Sequence, residues 1–266
     1  MKSFFVCAGA IAASVNMACA DEIAGPPKGY VEAGTGYDAL TSGYPDRHTV
    51  FVRGEYRMDD TQRFTAEANE ISQFGSTGPL FVGGYVNNFS PDWILQLGGA
   101  FSPGSGGDTL PRNRVDASLG RKWLEAKNLV TTLGLTDIQY KNAYVDHAIQ
   151  ASAAYYFEYM NIPLAIEGGA IYNLSYPGAI GATQYYSAIT EGREMDSIVS
   201  VRIGGGNEAY QLVGNVAALQ QFSSNSLLVT WRKWLNREYG FQLRADAYNN
   251  PYYQQRGMEA SFFKYF

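Results

Sequence analysis

The chain has 266 residues, 46% apolar, 17% charged and 14% aromatic, with 29 Gly, 20 Tyr and two Cys. The charged fraction falls short of the roughly 25% of ordinary soluble domains, and polarity resides instead in Tyr, Ser, Thr, Asn, Gln and Gly, which argues against intrinsic disorder. A formal charge of −5 gives no basic face for nucleic acid, and no apolar run reaches the roughly 18 residues of a helical membrane span.

The first element reads as a secretory signal over residues 1–20: Lys2 supplies the positive start, Phe4 to Ala13 the apolar stretch, and Ala18-Cys19-Ala20 a cleavage site before Asp21. Asn16 stands where a lipoprotein signal carries an aliphatic residue, so Cys19 is not read as a lipidation site. Both cysteines, Cys7 and Cys19, lie in this segment, so the mature chain 21–266 is expected to carry no thiol, no disulfide and a net charge of −6.

After residue 21 the recurring pattern is alternation, in segments of about 9 to 13 residues broken by Gly, Pro, Asn and Asp. Phe241, Leu243, Ala245 and Ala247 take one parity, while Gln242, Arg244, Asp246 and Tyr248 take the other. A period of two puts such sets on opposite faces of a strand. Val50, Val52 and Tyr56 oppose Arg53, Glu55 and Arg57, and Leu227, Val229 and Trp231 oppose Thr230 and Arg232. Strands are expected at 29–38, 48–58, 62–72, 79–88, 92–102, 112–123, 128–139, 146–157, 162–173, 182–191, 196–205, 225–234, 239–249 and 257–266. That makes fourteen, or twelve if two short segments are loops.

The connections alternate in length. Short ones are Met58–Thr61, Asn88–Asp92, Leu124–Lys127, Glu158–Asn161, Gly192–Asp196 and Leu235–Glu238. Longer ones are Ala39–Asp46, Gln73–Gly78, Ser102–Pro111, Tyr140–Val145, Leu174–Gly181, Gly206–Ser224 and Asn250–Arg256. Short turns at one end and long loops at the other point to an all-β, transmembrane, antiparallel up-and-down barrel, with both termini periplasmic. Aromatics gather at strand ends: Trp93, Trp123, Tyr156, Phe157, Tyr159, Trp234, Tyr239, Tyr265 and Phe266 by the short turns, and Tyr37, Tyr140, Tyr172, Tyr248, Tyr252 and Tyr253 by the long loops. They are read as the two headgroup girdles. The last strand puts Met258, Ala260, Phe262 and Phe266 on one parity, interrupted by Lys264, and a terminal Phe on such a strand resembles the assembly signal of bacterial outer-membrane barrels.

Tyr176-Pro177-Gly178, Ser197–Gly206, Ser223–Trp234, Glu238–Phe241 and Gly257–Phe266 together resemble the YaiO-type outer-membrane β-barrel family. The resemblance implies an integral outer-membrane protein associated with surface or exopolysaccharide systems, with no catalytic residues to carry over. The partners it implies are outer-membrane lipid and lipopolysaccharide, the barrel assembly machinery, and polysaccharide or polysaccharide-secretion proteins. No cofactor and no nucleic acid is expected.

Parity assigns to the lumen Arg53, Arg57, Arg63, Arg114, Lys122, Arg202, Arg232 and Arg244, with Glu55, Glu67, Asp116, Glu167, Glu191, Asp246 and Glu259. Eight cations against seven anions fit a salt-bridged plug or a wet pore equally well. Such balance does not focus an acidic polymer, and leaves neutral or weakly charged sugars and small solutes as cargo.

Outer-membrane phospholipases and lipid A deacylases place His-x-Ser on one strand so that both side chains point the same way. His48 is followed by Thr49-Val50 and His147 by Ala148-Ile149, so neither histidine meets the pattern. Asp146 and His147 are adjacent and take opposite faces, and two separated histidines without cysteine do not make a zinc site. Ser102–Asp108 is Gly-rich but follows no parallel strand, so it reads as a loop, and Leu212–Leu219 is apolar enough to fold into the lumen or pack at its rim. The expected function is non-enzymatic, serving exopolysaccharide export or surface display. A small-solute diffusion channel is the first alternative and a lipid hydrolase the second. Removing Phe266 should impair membrane insertion, read as loss of protein from the washed membrane fraction; unchanged insertion would make the terminal aromatic incidental.

Overall fold

The computed structural model describes residues 27–104, 110–141, 144–211 and 219–266. The signal segment, most of the Gly-rich Ser102–Asp108 loop and nearly all of Leu212–Leu219 lie outside them. The strands are β1 (Gly29–Leu40), β2 (Arg47–Arg57), β3 (Gln62–Gln73), β4 (Ser76–Asn87), β5 (Trp93–Phe101), β6 (Pro111–Trp123), β7 (Leu129–Tyr140), β8 (Val145–Tyr159), β9 (Ile162–Tyr176), β10 (Ile180–Arg193), β11 (Ser197–Gln211), β12 (Leu219–Trp234), β13 (Tyr239–Asn249) and β14 (Gln254–Tyr265). Each pairs antiparallel with its sequence neighbours, and β1 closes on β14 from Tyr30 opposite Tyr265 to Leu40 opposite Gln255. The twelve-strand alternative falls away. Closure leaves no sheet edge, which is what an interior of lipid demands of a β-structure.

The strands are strongly tilted. One row of ladder partners runs Tyr37, Met258, Ala245, Val229, Val201, Ile189, Ile166, Tyr155, Leu129, Trp123, climbing down from the upper half of β1 to the terminal end of β6. Fourteen strands about 4.8 Å apart and tilted by about 35° make a wall about 26 Å across. The same row marks the outer face, and its side chains are almost all apolar. Met258 and Phe262 are 72% and 71% exposed on that face, whereas Phe263, one residue on, is 2% exposed inside. The alternation read from the last strand thus assigns its faces correctly.

The connections at the end opposite the termini are shorter than the sequence pattern implies. Gln73–Gly78 reduces to a two-residue turn at Phe74-Gly75, both with positive φ (51° and 76°), which matches the twist of a hairpin. Leu174–Gly181 narrows to residues 177–179, and Gly206–Ser224 is mostly β-ladder, with Gln211 opposite Leu219. Beyond the apolar band a strand needs no lipid-facing hydrophobes, so Asn207, Gln221 and Ser223 read as loop while forming strand. Gly206 is where β11 parts from β10: the β10 ladder ends at Gln184 opposite Gly206, and β11 continues upward on β12 alone. Its φ of +138° needs glycine, and a Cβ there would lie 2.3 Å from the Thr183 carbonyl oxygen.

At the terminal end the turns are tight and capped. Asp59 accepts from the Thr61 hydroxyl (2.7 Å) and from the Thr61 and Gln62 amides (2.8 Å each). The Thr61 hydroxyl bond is the largest influence holding that carboxyl below the usual range, so the cap persists where an ordinary aspartate is protonated and is lost as pH falls through the lowered value.

The girdle reading needs correction. Tyr156, Trp234, Tyr265, Tyr140, Tyr248 and Tyr253 point into the lumen, while Trp123, Tyr159, Tyr239, Phe266, Tyr37 and Tyr172 stay on the outer wall. Clustering at strand ends suits both faces, and parity alone separates them. Trp231, Tyr155 and Tyr185 join the outer aromatics. Gly206→Ala should destabilise the folded barrel by about 1–3 kcal/mol, measured as a lower midpoint of the heat-modifiable gel shift; an unchanged midpoint would show that β11 does not depend on this bend.

Candidate functional site: the barrel lumen

Inward parity on β1 places Glu32 where the barrel closes. Its side chain is completely shielded from solvent. Arg53 of β2 donates to Oε1 at 2.5 Å, Ser261 of β14 donates to the same oxygen at 2.6 Å, and Arg232 of β12 donates to Oε2 at 2.9 Å. Arg53 also reaches Glu259 at 3.3 Å. Arg232 lies against the Phe263 ring (3.8 Å) and the Tyr30 ring (4.7 Å), within an apolar cluster of Trp234, Phe263, Tyr265, Tyr30 and Ile198. A buried carboxylate is tolerable only when its lone pairs are filled and its charge is matched, and here both conditions are met.

The terminal mouth below this cluster holds Arg57 between Glu55 (3.1 Å) and Glu194 (3.3 Å), with Arg63 at 3.9 Å from Glu55. Toward the other end, Gln255 donates to both Asp38 (2.9 Å) and Asp246 (3.2 Å), and Arg47 and Arg244 each approach one of these acids at 3.8 Å. Higher still, Glu208 accepts from Ser224 and from the Tyr248 hydroxyl among buried Phe222 and Tyr253. The lumen is therefore strongly ionic along β1–β3 and β12–β14.

The opposite wall is different. Gln96, Ser118, Thr132, Thr136, Gln150, Ser152, Asn173 and Thr190 take its inward positions, interrupted by Gly98, Gly120 and Gly134. Among the described residues its one inward ion pair, Arg114 to Asp116 at 2.8 Å, closes between residues two apart on one strand and is joined by the Thr136 hydroxyl at 2.7 Å. Val86, Ile94 and Val130 with Tyr156 form an apolar patch at its terminal end.

Of the expected lumen charges, Arg53, Arg57, Arg63, Arg114, Arg232 and Arg244 stand in ion pairs with Glu55, Asp116, Asp246, Glu259 or residues outside the expected set. Glu67 faces inward opposite Arg53. Glu167 accepts from Tyr186, and among the described residues Lys122 and Arg202 are in no ion pair. Glu191 is corrected: it is exposed on the outer face, opposite Val199 and on the parity of Tyr185 and Ile189. The expected set omitted Glu32, Asp38, Asp146, Glu194 and Glu208. Parity alone would have found Glu32 and Asp38, since Val31, Ala33, Thr35 and Tyr37 take the outer face of β1.

Asp146 and His147 do take opposite faces. Asp146 accepts from Tyr140 inside, whereas His147 pairs on the outer face with Asp137 across the ladder (2.8 Å). The position two residues on is Ile149, flanked by Leu135 and Tyr172, so it offers no serine to the acid and base. Among the described residues no group of three His, Cys, Asp or Glu could hold a metal ion.

A closed fourteen-strand barrel with an apolar outside and a polar, ion-paired inside defines an integral outer-membrane β-barrel protein. The model of the YaiO membrane beta barrel domain matches residues 28–211, and the chain belongs to that family. Tyr176–Gly178 and Ser197–Gly206 fall inside the matched region, whereas Ser223–Trp234, Glu238–Phe241 and Gly257–Phe266 lie beyond it. A search of curated protein sequences finds no match. Among solved structures the chain is similar to a bacterial polysaccharide outer membrane secretin (TM-score 0.56, 10% identity, covering 91% of this chain and 100% of that one). It is also similar to the translocator domain of autotransporter NalP from Neisseria meningitidis (0.52, 11%, 91% and 90%) and to Acinetobacter baumannii Omp33 (0.52, 12%, 89% and 99%). At these identities the likeness is one of fold.

Glu32→Ala should cost about 3–5 kcal/mol, because it strands two inward arginines, while Glu32→Gln should cost less; both are read from the heat-modifiable gel shift. Equal midpoints for wild type and Glu32→Ala would show that the seam network does not hold the barrel.

Proposed function

We propose that this barrel is non-enzymatic and serves exopolysaccharide export or surface display at the outer membrane, with both termini and the short turns in the periplasm. The observation that carries the reading is the division of the lumen. Its cations are largely neutralised along β1–β3 and β12–β14, whereas the inward face of β5–β10 carries mainly hydroxyls, amides and glycines around a few charges, Lys122, Asp146, Glu167 and the Arg114–Asp116 pair. Such a wall suits a neutral polyhydroxylated chain, which exchanges hydrogen bonds with water for equivalent ones and carries no charge for the remaining wall charges to attract or repel. The fold likeness to a polysaccharide outer membrane secretin supports the same reading.

Passage of small solutes is the second reading, favoured by Val82: it points inward opposite Ala100 yet is 37% exposed, so water reaches that part of the lumen. Ile149 in place of the serine of a His-x-Ser pair beside His147 supports the non-enzymatic assignment. A producing strain lacking the chain should secrete or display less polysaccharide and recover when the chain is restored; unchanged polysaccharide overturns the export reading. The purified barrel in a planar bilayer should conduct, and silence from correctly folded protein overturns passage through the lumen.

A further inference from the structure

The lumen charges divide by saturation. Glu32 accepts from three donors on three strands, and Arg114 is closed on Asp116. Two cations away from the seam, Lys122 on β6 and Arg202 on β11, are in no ion pair among the described residues. Midway up the lumen Arg202 lies over the Tyr186 ring, its Cζ 3.8 Å from the centroid, and among the described residues no carboxylate stands within ion-pair distance of it. Tyr186 donates to Glu167 Oε1 at 2.6 Å and also shares a hydrogen bond with Ser152. Its ring is pressed onto Gly169, where a methyl group would come within 2.6 Å of it. The phenol is thus fixed against the wall, and it fixes in turn one oxygen of the carboxylate and the plane of the guanidinium.

Ladder register sets the spacing. Arg202 pairs with Ala188, and Ala188 with Glu167, so the two charges stand on either side of a single methyl group. Their Cα atoms are two strand spacings apart, about 10 Å. The result is a cleft with a donor wall, an acceptor wall, an alanine floor and an aromatic edge. An anion entering it meets Glu167 and a cation meets Arg202, whereas a neutral polyol accepts from the guanidinium and donates to the free carboxylate oxygen. We propose that Glu167, Tyr186 and Arg202 form a subsite for one neutral sugar ring of a polysaccharide. The assignment rests on the export reading above and names the cargo's charge class.

The test is calorimetric titration of the full, detergent-folded chain with maltohexaose, cellohexaose and chitohexaose, and with oligogalacturonate as the anionic comparison. At least one neutral hexamer should bind. Arg202→Ala should weaken it at least tenfold, the loss expected of a charged hydrogen bond. Ala188→Leu, which fills the cleft floor and keeps both charged groups, should do the same. Retention of the heat-modifiable shift in each variant separates lost binding from lost folding. Failure of every neutral hexamer to bind, tighter binding of oligogalacturonate, or unchanged affinity in both variants overturns the subsite. Loss of the subsite with polysaccharide secretion still dependent on the chain leaves the export reading standing. Binding that persists in a chain dispensable for secretion leaves the subsite standing and removes the export reading.

Discussion

The constraint on which the rest depends is closure of β1 onto β14, a pairing made between the two ends of the strand sequence. Every other ladder joins strands that are neighbours in sequence. The β1–β14 ladder has no such help and must bear the loop-closure entropy of nearly the whole chain. Eleven ladder pairs, Tyr30 with Tyr265 through Leu40 with Gln255, repay part of that cost. Glu32 adds a second fastening inside. It ties β1 at once to β2 through Arg53, to β12 through Arg232 and to β14 through Ser261. An ion network of this kind is weak evidence of net stabilisation, since hydrophobic substitutes can do as well. It is better evidence of registry: three donors from three strands fit one carboxylate only when those strands sit at one relative height.

That demand shapes the charge distribution. Arginines needed to neutralise Glu32 are carried close to Glu259, and those of β2 and β3 meet Glu55 at the mouth below. The ionic wall is then concentrated at the seam, and the strands farthest from it are free to carry small and neutral residues. The glycines of β5–β7 remove volume from the inner wall while the ladder keeps the backbone satisfied. Space and polarity for a solute therefore lie opposite the seam, where the hairpins hold themselves together.

Much of this was legible in the chain. Strand number and face came through wherever an apolar band meets a polar interior, as in Phe241 to Tyr248 and Met258 to Phe266, because lipid on one side and water on the other impose a period of two. Legibility failed where one of those solvents is absent. Above the band, the β11–β12 extension is wet on its outer face, so Ser223 and Gln221 carry turn-like composition through a regular ladder. At the strand ends, aromatic residues serve both headgroups and lumen, and composition could not separate Tyr37 from Tyr248. The ion pairs were illegible for another reason. Parity gives each charge a face but no height, and height follows from the stagger accumulated around fourteen tilted strands.

Saturation then distinguishes charges that build the barrel from charges that face a solute. A group that holds strands in register gains most when its bonding capacity is directed at the wall, as with Glu32, which accepts from three strands, and with the Arg114–Asp116 pair. A group that meets a changing succession of molecules must keep capacity unspent, at the cost of remaining solvated, and must be held in orientation by something other than the bonds it will offer. Tyr186 supplies that hold, clamped on Gly169 and oriented by its bond to Glu167. Arg202 stacks on its ring and keeps its N–H edge free of any carboxylate among the described residues. Because the seam already contains enough carboxylates to neutralise its own arginines, none has to be diverted across the lumen, and the independence of the two walls allows a structural and a recognising set of charges to coexist in one barrel.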